Sequence, residues 1–312
     1  MTTTESRSWR RCKGSLASLT SSIIKGVEEN GRTYAVYGQE ECGMPMDEVE
    51  MNRIDMAHAK HFMLLENKQS LTPIDTDVQK VLDLGTETGA WSIDFADAYP
   101  SAEVVEIDIA PIQSTCAPPN CQFQVDDITQ PWTWKKDTFD FVFARDILSL
   151  VRNWLNLISQ CYDHIKPGGW IEFQLIHGVL GCDDDTLPLE SKFREHDKHI
   201  RAAAVAFGTP LEDPVSFKKW FDKAVVEKKY KIPSNPWPKD PRLKLVGALE
   251  QENFVAGLEG MSIRSLDKLG WNLDDSKRSL GEEKTSYCRF YVVYGRKPNQ
   301  ENKNIDHHVL EE

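Results

Sequence analysis

The sequence has no run of 18 apolar residues, the length at which an apolar stretch becomes a candidate transmembrane helix. Its amino-terminal basic residues are not followed by the apolar segment of a secretory signal peptide. Basic residues are also fewer than acidic ones, 37 against 49, and the net charge of −12 opposes attraction to phosphate backbones and anionic membrane surfaces. We therefore expect neither a membrane nor nucleic acid as a partner.

Cysteine is scarce, and its seven thiols stand singly, with no C-x-x-C pair. Dispersed thiols in a chain of 312 residues fit a reducing compartment better than a disulfide framework, so we expect an intracellular, cytoplasmic protein. Two H-x-x-H pairs occur, but no cysteine or carboxylate grouping completes either as a metal site, and we expect no metal. The G-x-S-x-G, Walker and H-E-x-x-H motifs are absent, which disfavours the common hydrolases, NTPases and metalloproteases.

The segment Val81–Phe95, VLDLGTETGAWSIDF, is the strongest local signal in the chain. Its apolar start is typical of a strand buried on both faces, and the apolar spacing after Gly89 predicts a helix. The turn between them carries Gly85 and Gly89. Glycines in such a turn let the backbone approach a ligand closely, and the following helix directs unpaired N–H groups towards it. The segment is therefore a candidate nucleotide-type cradle, although its glycines lack G-x-G-x-x-G spacing.

A second apolar run, VVEID at Val104–Asp108, ends in an acid 19 residues beyond Gly89. An acid at the end of the second strand, about 20 residues past the glycine turn, is placed to accept hydrogen bonds from ribose hydroxyls. The two features together predict a ligand that contains adenosine. A dinucleotide oxidoreductase is disfavoured because the turn does not have the dinucleotide spacing.

Strand and helix patterns alternate from Lys80 to Gln174. This alternation predicts right-handed crossovers and an α/β fold, with a mostly parallel sheet covered by helices on both faces. Because ligands of such sheets bind beyond the carboxyl ends of the strands, residues that follow strand ends would meet at one rim. The predicted strands are Val81–Leu84, Glu103–Asp108, Cys121–Val125, Phe139–Ala144 and Gly169–Gln174, and the residues expected at the rim are Gly85, Asp108, Asp126 and Asp127.

The segments around this core are assigned from composition and spacing. A helix is expected to begin near Asp47, and the proline-rich SNPWPKDP breaks a later helical region that could cover the substrate. The resulting division is a disordered tail at 1–30, one domain at 31–298 and a disordered tail at 299–312. Within the domain the parts are an N-terminal cap at 31–79, a cofactor-binding core at 80–177, a helical insertion or lid at 178–280 and a final strand within 281–298.

Four segments in chain order carry a specific resemblance: VLDLGTETGAWSIDFADAYPSAEVVEIDIAPIQ, PPNCQFQVDDITQPWTW, FDFVFARDI and YDHIKPGGWIEFQ. They resemble the successive motifs of class I S-adenosylmethionine-dependent methyltransferases and, more narrowly, of the fungal LaeA-like group. YAVYGQEECGMPMDEVEMNRIDMAHAKHF is similar to that group's N-terminal cap, and NPWPKDPRLK, GLEGMSI and FYVVYGRKP to its C-terminal segments. The resemblance covers residues 31–298 and implies a Rossmann-like fold with a seven-stranded sheet, S-adenosylmethionine as cofactor and a setting in fungal secondary metabolism.

The resemblance also implies which residues contact the cofactor. Residues after the first strand would shape the methionine end of the pocket, the acid after the second would hold the ribose, and the acids after the third would face the adenine. Arg145, past the fourth strand, could approach the methionine carboxylate or a carboxylate substrate. The implied cofactor-binding set is Tyr37, Asp83, Gly85, Thr86, Glu87, Gly89, Asp108, Ile109, Asp126, Asp127, Ile128 and Arg145.

The chain departs from the family pattern at Glu87, where these enzymes usually carry the central glycine of the turn. If the position needs a left-handed conformation, a residue with a Cβ costs roughly 1–2 kcal/mol there. S-adenosylmethionine, however, has no pyrophosphate and carries sulfonium and ammonium cations, so a carboxylate could pair with its ammonium. Glu87 therefore separates two hypotheses about the activity.

The first hypothesis is methyl transfer to a hydroxyl or carboxylate of a small molecule. In-line displacement mainly requires alignment, and His177 is the candidate general base where the acceptor needs one, with a structural histidine as the alternative. The second hypothesis keeps the fold and discards the reaction: the protein would have impaired or lost cofactor use and act as a regulator with a protein partner, or in a non-methylating step such as cyclisation. The regulatory members of the group leave a nuclear location open.

Overall fold

The computed structural model describes residues 21–37, 44–221, 225–261 and 284–299, and the single positions 274, 277, 279 and 281. Residues 1–20 and 300–312, most of the two predicted tails, lie outside the described residues. The described chain begins with helix α1, Ser21–Lys25, and a hairpin of strands β1, Val27–Glu29, and β2, Arg32–Tyr34. Helix α1 and strand β1 lie within the last part of the predicted tail, and Arg32 of the hairpin contacts Asp47, with Nε 2.6 Å from Oδ2.

A regular alternation of strands and helices follows the hairpin. In chain order the elements are α2 Glu48–Leu64, β3 Lys80–Leu84, α3 Ala90–Ala98, β4 Glu103–Asp108, β5 Cys121–Val125, β6 Phe139–Arg145, α4 Trp154–His164, β7 Ile165–Gly181, α5 Lys192–Phe207, α6 Phe217–Trp220, β8 Val225–Pro233, α7 Pro241–Met261 and β9 Tyr287–Arg296. Helix α2 begins where the sequence predicts, since the Asp47 side chain accepts a hydrogen bond from Glu50 N at 3.1 Å.

The seven strands β3 to β9 form one sheet in the order β5-β4-β3-β6-β7-β9-β8. The neighbours from β5 to β7 are parallel, and β9 runs antiparallel to β7 and β8. Strand β3 therefore lies between β4 and β6, and the strand order reverses between β3 and β6. This is the Rossmann-like arrangement of the predicted fold class, which the structure confirms.

Apolar packing on both faces of the central strands explains why β3 and β4 are nearly continuous hydrophobic runs. On one face, Trp91 of α3 stacks on Phe143 of β6 with ring centroids 3.7 Å apart. On the other face, Trp154 of α4 and Phe173 of β7 pack against Phe217, and Trp154 meets Phe217 edge-to-face at 4.6 Å. The sheet is thereby held rigid beneath the ends of its strands.

The region predicted as a helical insertion contains α5, α6 and α7, but it also contains strand β8 at the edge of the sheet. This strand was not predicted from the sequence because four of the nine residues in VVEKKYKIP are charged and four are exposed, which is typical of an edge strand and weak as a local signal. Strand β7 also runs to Gly181, seven residues beyond its predicted end at Gln174. From the sequence, Trp271 in this region could line an apolar acceptor pocket, and it lies outside the described residues.

The N-terminal cap is a helix with a charged buried face. Helix α2 packs along α7, where Lys60 Nζ donates to Glu250 Oε2 at 2.6 Å and Arg53 Nη1 donates to Asn253 Oδ1 at 3.0 Å. Lys60 is only 1% exposed, so this ion pair is removed from solvent. Among the described residues, no helix is both long and apolar enough to cross a membrane. The two packed helices close one side of the space above the strand ends.

Candidate cofactor and acceptor site

A cavity of about 360 Å³ lies beyond the carboxyl ends of the central strands, at the point where strand order reverses. Its walls come from the turns after β3, β4, β5 and β6, from the end of β7, and from α2 and α5. A cavity of this size is within the range of small-ligand sites. Seven residues predicted from the sequence line it: Gly85, Glu87, Asp108, Ile109, Asp126, Asp127 and Ile128.

The turn after β3 needs both of its glycines. Gly85 has φ 67° and Gly89, which caps α3, has φ 81°. A Cβ on Gly85 would overlap Ile147 Cγ2, and one on Gly89 would lie 2.6 Å from Glu106 Oε2. Positive φ disfavours larger residues at both positions, and the packing of Ile147 against Gly85 excludes them there as well, so the two glycines keep the turn tight.

Asp83 supports this turn from below and does not line the cavity. It is 2% exposed and accepts hydrogen bonds from Thr86 Oγ1 at 2.7 Å and from Ser92 Oγ at 2.8 Å. Burial raises the pKa of Asp83 to about 6, against the opposing effect of these two hydroxyl donors. Asp83 and Thr86 therefore fix the shape of the turn, and the structure places neither of them, nor Gly89, in the cavity wall.

Asp108, the predicted ribose acid, joins the two turns that surround it. Its Oδ2 accepts from Glu87 N and its Oδ1 from Ala110 N, both at 2.9 Å. Burial raises its pKa to about 6, although the backbone donors Ala110, Glu87 and Ile109 lower it. A carboxylate has about four lone-pair sites, so these donors leave capacity for a hydroxyl group in the cavity.

Glu87 occupies the left-handed conformation that the family pattern requires of a glycine. Its φ is 56°, and its carbonyl accepts from Gln113 Nε2 at 2.6 Å. The side chain is partly buried and lines the cavity. Burial raises the pKa of Glu87 to about 8, and the negative charge of Asp146 adds to the rise. The structure therefore shows a left-handed conformation at Glu87 and places this residue in the cavity wall.

Asp126, Asp127 and Ile128 line the side of the cavity where the adenine is expected. Asp127 Oδ1 accepts from Thr129 N at 3.0 Å and from Thr129 Oγ1 at 2.6 Å, which closes the turn after β5. Tyr37 does not line the cavity, but its pKa is raised by burial and then by the charges of Asp126 and Asp127. The N-terminal cap therefore brings Tyr37 close to the two acids.

Two predicted residues, Arg145 and His177, are not in the cavity wall. Arg145 Nη2 lies 2.7 Å from His58 Nδ1 and its guanidinium lies over the Phe143 ring, so it faces the cap helix. His177 pairs in register with Arg289 and packs edge-to-face on Tyr291. Burial and then the charge of Arg289 lower the pKa of His177. Since side chains alternate along a strand, cavity-lining Ile176 and Gly178 place His177 on the other face.

Asp146 is an acid of the cavity wall that was not predicted from the sequence. It follows β6 in a left-handed conformation, with φ 53°. Its Oδ1 is buried without a hydrogen-bond partner among the described residues, and its Oδ2 lies 3.4 Å from His61 Nδ1. Burial raises the pKa of Asp146, and the cations of α2 and β6 oppose the rise. Its position directly past a strand end is the signal that would have identified it.

Helix α2 also contributes wall residues that sequence spacing did not find. Glu50, Arg53 and Lys60 line the cavity, and Glu50 Oε1 accepts from Arg53 Nη2 at 2.7 Å. Their spacing of three and seven residues is that of one helical face. The pattern is not recognised from the sequence because the residues are charged, and the buried face of a helix is usually identified by apolar residues. We call the following residues the polar end of the cavity: Glu50, Arg53, Lys60, Gly85, Glu87, Asp108 and Asp146.

The remaining wall is hydrophobic and comes from later parts of the chain. It is formed by the 3₁₀ turn Ile147–Leu150, the end of β7, α5 and the loop that follows α5. Leu148, Leu150 and Leu211 also belong to the core beneath the sheet end. We call the following residues the apolar end of the cavity: Leu148, Leu150, Ile176, Ile200, Ala204, Phe207 and Leu211.

The residues present fit S-adenosylmethionine. Gly85 offers a side-chain-free wall, and Asp108 retains acceptor sites for hydroxyl groups. The buried Asp146 Oδ1 needs a donor, which an ammonium group would supply. The polar end holds four acids and two bases, and this surplus of acids suits a ligand whose methionine part carries two positive charges and one carboxylate.

Comparison with known proteins gives the same assignment. The family model described as "Methyltransferase domain" matches residues 53–224, more than half of the chain. Methyltransferase pytC of Aspergillus terreus is 35% identical over 298 residues, which cover 91% of this chain and 92% of pytC. Secondary metabolism regulator LAE1 of Cochliobolus heterostrophus is 31% identical over 291 residues, which cover 87% of this chain and 95% of LAE1.

Among solved structures, Haemonchus contortus phosphoethanolamine N-methyltransferase 2 in complex with S-adenosyl-L-methionine is 18% identical, with a TM-score of 0.46, over 79% of this chain and 52% of that one. The family model and the two relatives confirm the resemblance read from the sequence motifs. Methyltransferase membership also confirms S-adenosylmethionine as the predicted cofactor. The chain belongs to the fungal LaeA-like group of S-adenosylmethionine-dependent methyltransferases.

Proposed function

We propose that this protein transfers the methyl group of S-adenosylmethionine to a hydroxyl or carboxylate oxygen of a small molecule in fungal secondary metabolism. The observation that carries the proposal is that one continuous cavity joins the polar end, at the glycine turn, to the apolar end. In-line displacement needs the acceptor oxygen opposite the leaving sulfur. A cofactor at one end and an acceptor at the other satisfy that requirement.

The sheet order supports this division of the cavity. The acids Asp108, Glu87 and Asp146 follow β4, β3 and β6, which are neighbours in the sheet. Ile176 lies on β7, the next strand, and α5 covers it. A ligand that extends along the rim from β5 to β6 therefore places its methionine part beside the apolar end.

Within this proposal each predicted residue has a stated task. Asp126, Asp127 and Ile128 hold the adenine side with Tyr37 close by, and Asp108 with Ile109 holds the ribose. Gly85 and Glu87 hold the methionine end. Asp83, Thr86 and Gly89 act as positioning residues for the turn, and Arg145 acts through its charge on Glu87.

The acceptor that fits the apolar end has a largely hydrophobic body and an oxygen at its polar side. Leu148, Ile200 and Phe207 offer aliphatic and aromatic surface, and burial of such surface contributes about 25 cal/mol per Å². His177 is not needed for alignment, because it faces the other side of β7. The proposal therefore carries no base at that position.

The experiment that tests this function uses the host fungus without the gene. Purified protein is incubated with extract of that strain and S-adenosylmethionine labelled with deuterium on the methyl group. We expect a labelled small molecule in the mass spectrum, with a methoxy signal by NMR that shows transfer to oxygen. Label found on protein alone, or on no small molecule, would contradict the proposal.

Glu87 favours one alternative, in which the protein acts as a regulator or in a non-methylating step such as cyclisation. A carboxylate in the turn would then exclude the cofactor or hold it unproductively. If the cofactor is excluded, the unmodified protein fails to bind S-adenosylmethionine in calorimetry. In either form, loss of the gene does not remove one methoxy group from a metabolite. A protein partner recovered with the purified chain would support the regulatory form of this alternative.

A further inference from the structure

Two carboxylates, Glu87 and Asp146, share the polar end of the cavity. They come from the turns after β3 and β6, which are adjacent parallel strands with Leu84 and Ala144 in register. Both residues are held in the left-handed conformation, with φ 56° and 53°, although neither is glycine. A strained residue type at two facing turns is typical of sites where the side chain has a task.

The charged groups around this acidic pair leave it with a negative surplus. Asp108 faces it from β4, Arg145 from β6, and Arg53 and Lys60 from α2, with Glu250 behind on α7. His61 of α2 also faces it, with Nδ1 3.4 Å from Asp146 Oδ2, and burial lowers the pKa of this imidazole, which favours its neutral form. The three cations have other acceptors: Arg53 donates to Glu50 and Asn253, Lys60 to Glu250, and Arg145 lies 2.7 Å from His58 Nδ1. Among the described residues, no hydrogen bond is donated to the Glu87 carboxylate or to Asp146 Oδ1.

We propose that Glu87 and Asp146 together bind the sulfonium and ammonium groups of S-adenosylmethionine, and that they make the site prefer this cation over the neutral thioether S-adenosylhomocysteine. The inference rests on the proposed function and deepens it. The two nucleosides share every group except the methyl and its positive charge, so a carboxylate pair that faces the sulfur discriminates between them. Because methyl transfer disperses that charge, the pair favours cofactor selection and product release and does not accelerate the reaction itself.

The proton balance of the pair supports the same assignment. Burial and the neighbouring Asp146 raise the pKa of Glu87 to about 8, and burial raises the pKa of Asp146. Near neutral pH the empty pair therefore holds a proton. A bound cation favours the ionised form and displaces that proton. Affinity for S-adenosylmethionine should consequently rise as pH increases towards 8, with proton release on binding.

The test is isothermal titration calorimetry with S-adenosylmethionine and S-adenosylhomocysteine at pH 6.5 and 8, in two buffers of different ionisation enthalpy. We expect the unmodified protein to bind S-adenosylmethionine at least about tenfold more tightly at pH 8 and to release protons on binding at pH 6.5. Glu87→Gln should weaken that affinity about ten- to a hundredfold, the range for lost hydrogen bonds to charged groups. It should weaken S-adenosylhomocysteine affinity at least about threefold less, because that nucleoside keeps the ammonium group and lacks the sulfonium charge.

Two further variants keep the test decisive. Asp146→Asn retains a residue type that tolerates the left-handed conformation, and it should also weaken S-adenosylmethionine affinity more than S-adenosylhomocysteine affinity. Glu66→Gln is the matched control, because Glu66 has φ 58° but an exposed side chain 3.5 Å from Arg242 Nη1, and it should change neither affinity.

An equal loss for both nucleosides in Glu87→Gln and Asp146→Asn, or no loss, would overturn the acidic-pair assignment and leave the proposed function standing. Failure of the unmodified protein to bind either nucleoside would overturn both.

Discussion

The two ends of the cavity are built in different ways. The polar end depends on short turns directly after β3, β4 and β6, whose conformations are fixed by local hydrogen bonds and by positive φ at Gly85, Glu87 and Asp146. The apolar end depends on side chains from β7, α5 and the loop at Leu211, which are far apart in the chain. The first is a matter of backbone geometry, and the second is a matter of packing.

This difference tells us how each end responds to change. A turn with one permitted conformation has no alternative arrangement, so a wrong residue there disturbs the site and the fold together. A wall of aliphatic side chains loses contact area in proportion to the atoms removed and leaves the backbone in place. We therefore expect substitutions at the polar end to affect stability and cofactor affinity, and substitutions at the apolar end to affect the acceptor alone.

The largest effect is expected for Gly85→Val. A valine at φ 67° is strained by roughly 1–2 kcal/mol, and its side chain overlaps Ile147, which adds roughly 1–3 kcal/mol. The free energy of unfolding should fall by about 3 kcal/mol and S-adenosylmethionine binding should be lost, as measured by denaturant titration and calorimetry. Gly31→Val is the control, because Gly31 has φ 77° with open space around its Cβ position. Equal losses in the two variants would refute the packing argument.

How much of the site the sequence predicts follows from the same division. Gly85, Asp108 and Asp126 are found from the sequence because a glycine turn and strand-end acids are local signals with fixed spacing. Asp146 is not predicted from the sequence because it stands next to Arg145 after the same strand. Its distance from the strand end does not show which of these two neighbouring residues lines the cavity. Ile200 and Leu211 are not predicted from the sequence because apolar residues occur throughout the chain. Only the folded structure shows which of them line the cavity.

The fold is predicted more completely than the site for a related reason. The core strands from β3 to β7 are buried on both faces or alternate with amphipathic helices, so periodicity alone marks them. Strand β8 is an exposed edge strand that gains its order from nine register pairs with β9, a partner some sixty residues later in the chain. Its own sequence mixes apolar residues with three consecutive charged ones, so it has no clear strand periodicity, and a local pattern cannot show pairing with a distant strand.

A second effect concerns Asp83, which supports the polar end without entering the cavity. Its pKa is about 6 in the folded protein against 3.8 for the ordinary group, so the folded state binds the proton more tightly than the unfolded state. Its contribution to stability therefore falls as pH rises through this interval, by up to about 3 kcal/mol. The free energy of unfolding of the unmodified protein, minus that of Asp83→Asn, should decrease between pH 4 and 6.

The measurement is chemical denaturation of both proteins across that pH range. Asp97→Asn, on the exposed face of α3, controls for the change of residue type. A difference between the unmodified protein and Asp83→Asn that stays constant with pH would show that the turn tolerates the charged form of Asp83. The polar end would then be less dependent on its buried support than the geometry indicates.

At the apolar end we expect Ile200→Ala to separate acceptor binding from cofactor binding. Removal of its side chain deletes contact area worth about 1–2 kcal/mol, which corresponds to a roughly five- to thirtyfold rise in KM for the acceptor found in labelled extracts. Calorimetric affinity for S-adenosylmethionine should not change. Val205→Ala, on the exposed face of the same helix, should alter neither quantity. A fall in cofactor affinity in Ile200→Ala would show that the two ends are not independent.

The smallest change in stability, and the sharpest test of the comparison, is expected for Glu87→Gly. Glycine relieves the left-handed strain at φ 56°, so the free energy of unfolding should rise by about 1 kcal/mol, and Glu66→Gly at φ 58° should show the same gain. The two variants should differ in ligand binding, because only Glu87 faces the cavity. We expect S-adenosylmethionine affinity to fall in Glu87→Gly and to stay constant in Glu66→Gly. A tighter complex after Glu87→Gly would mean that the Glu87 carboxylate obstructs cofactor binding at the polar end. That result would favour the regulatory or non-methylating alternative.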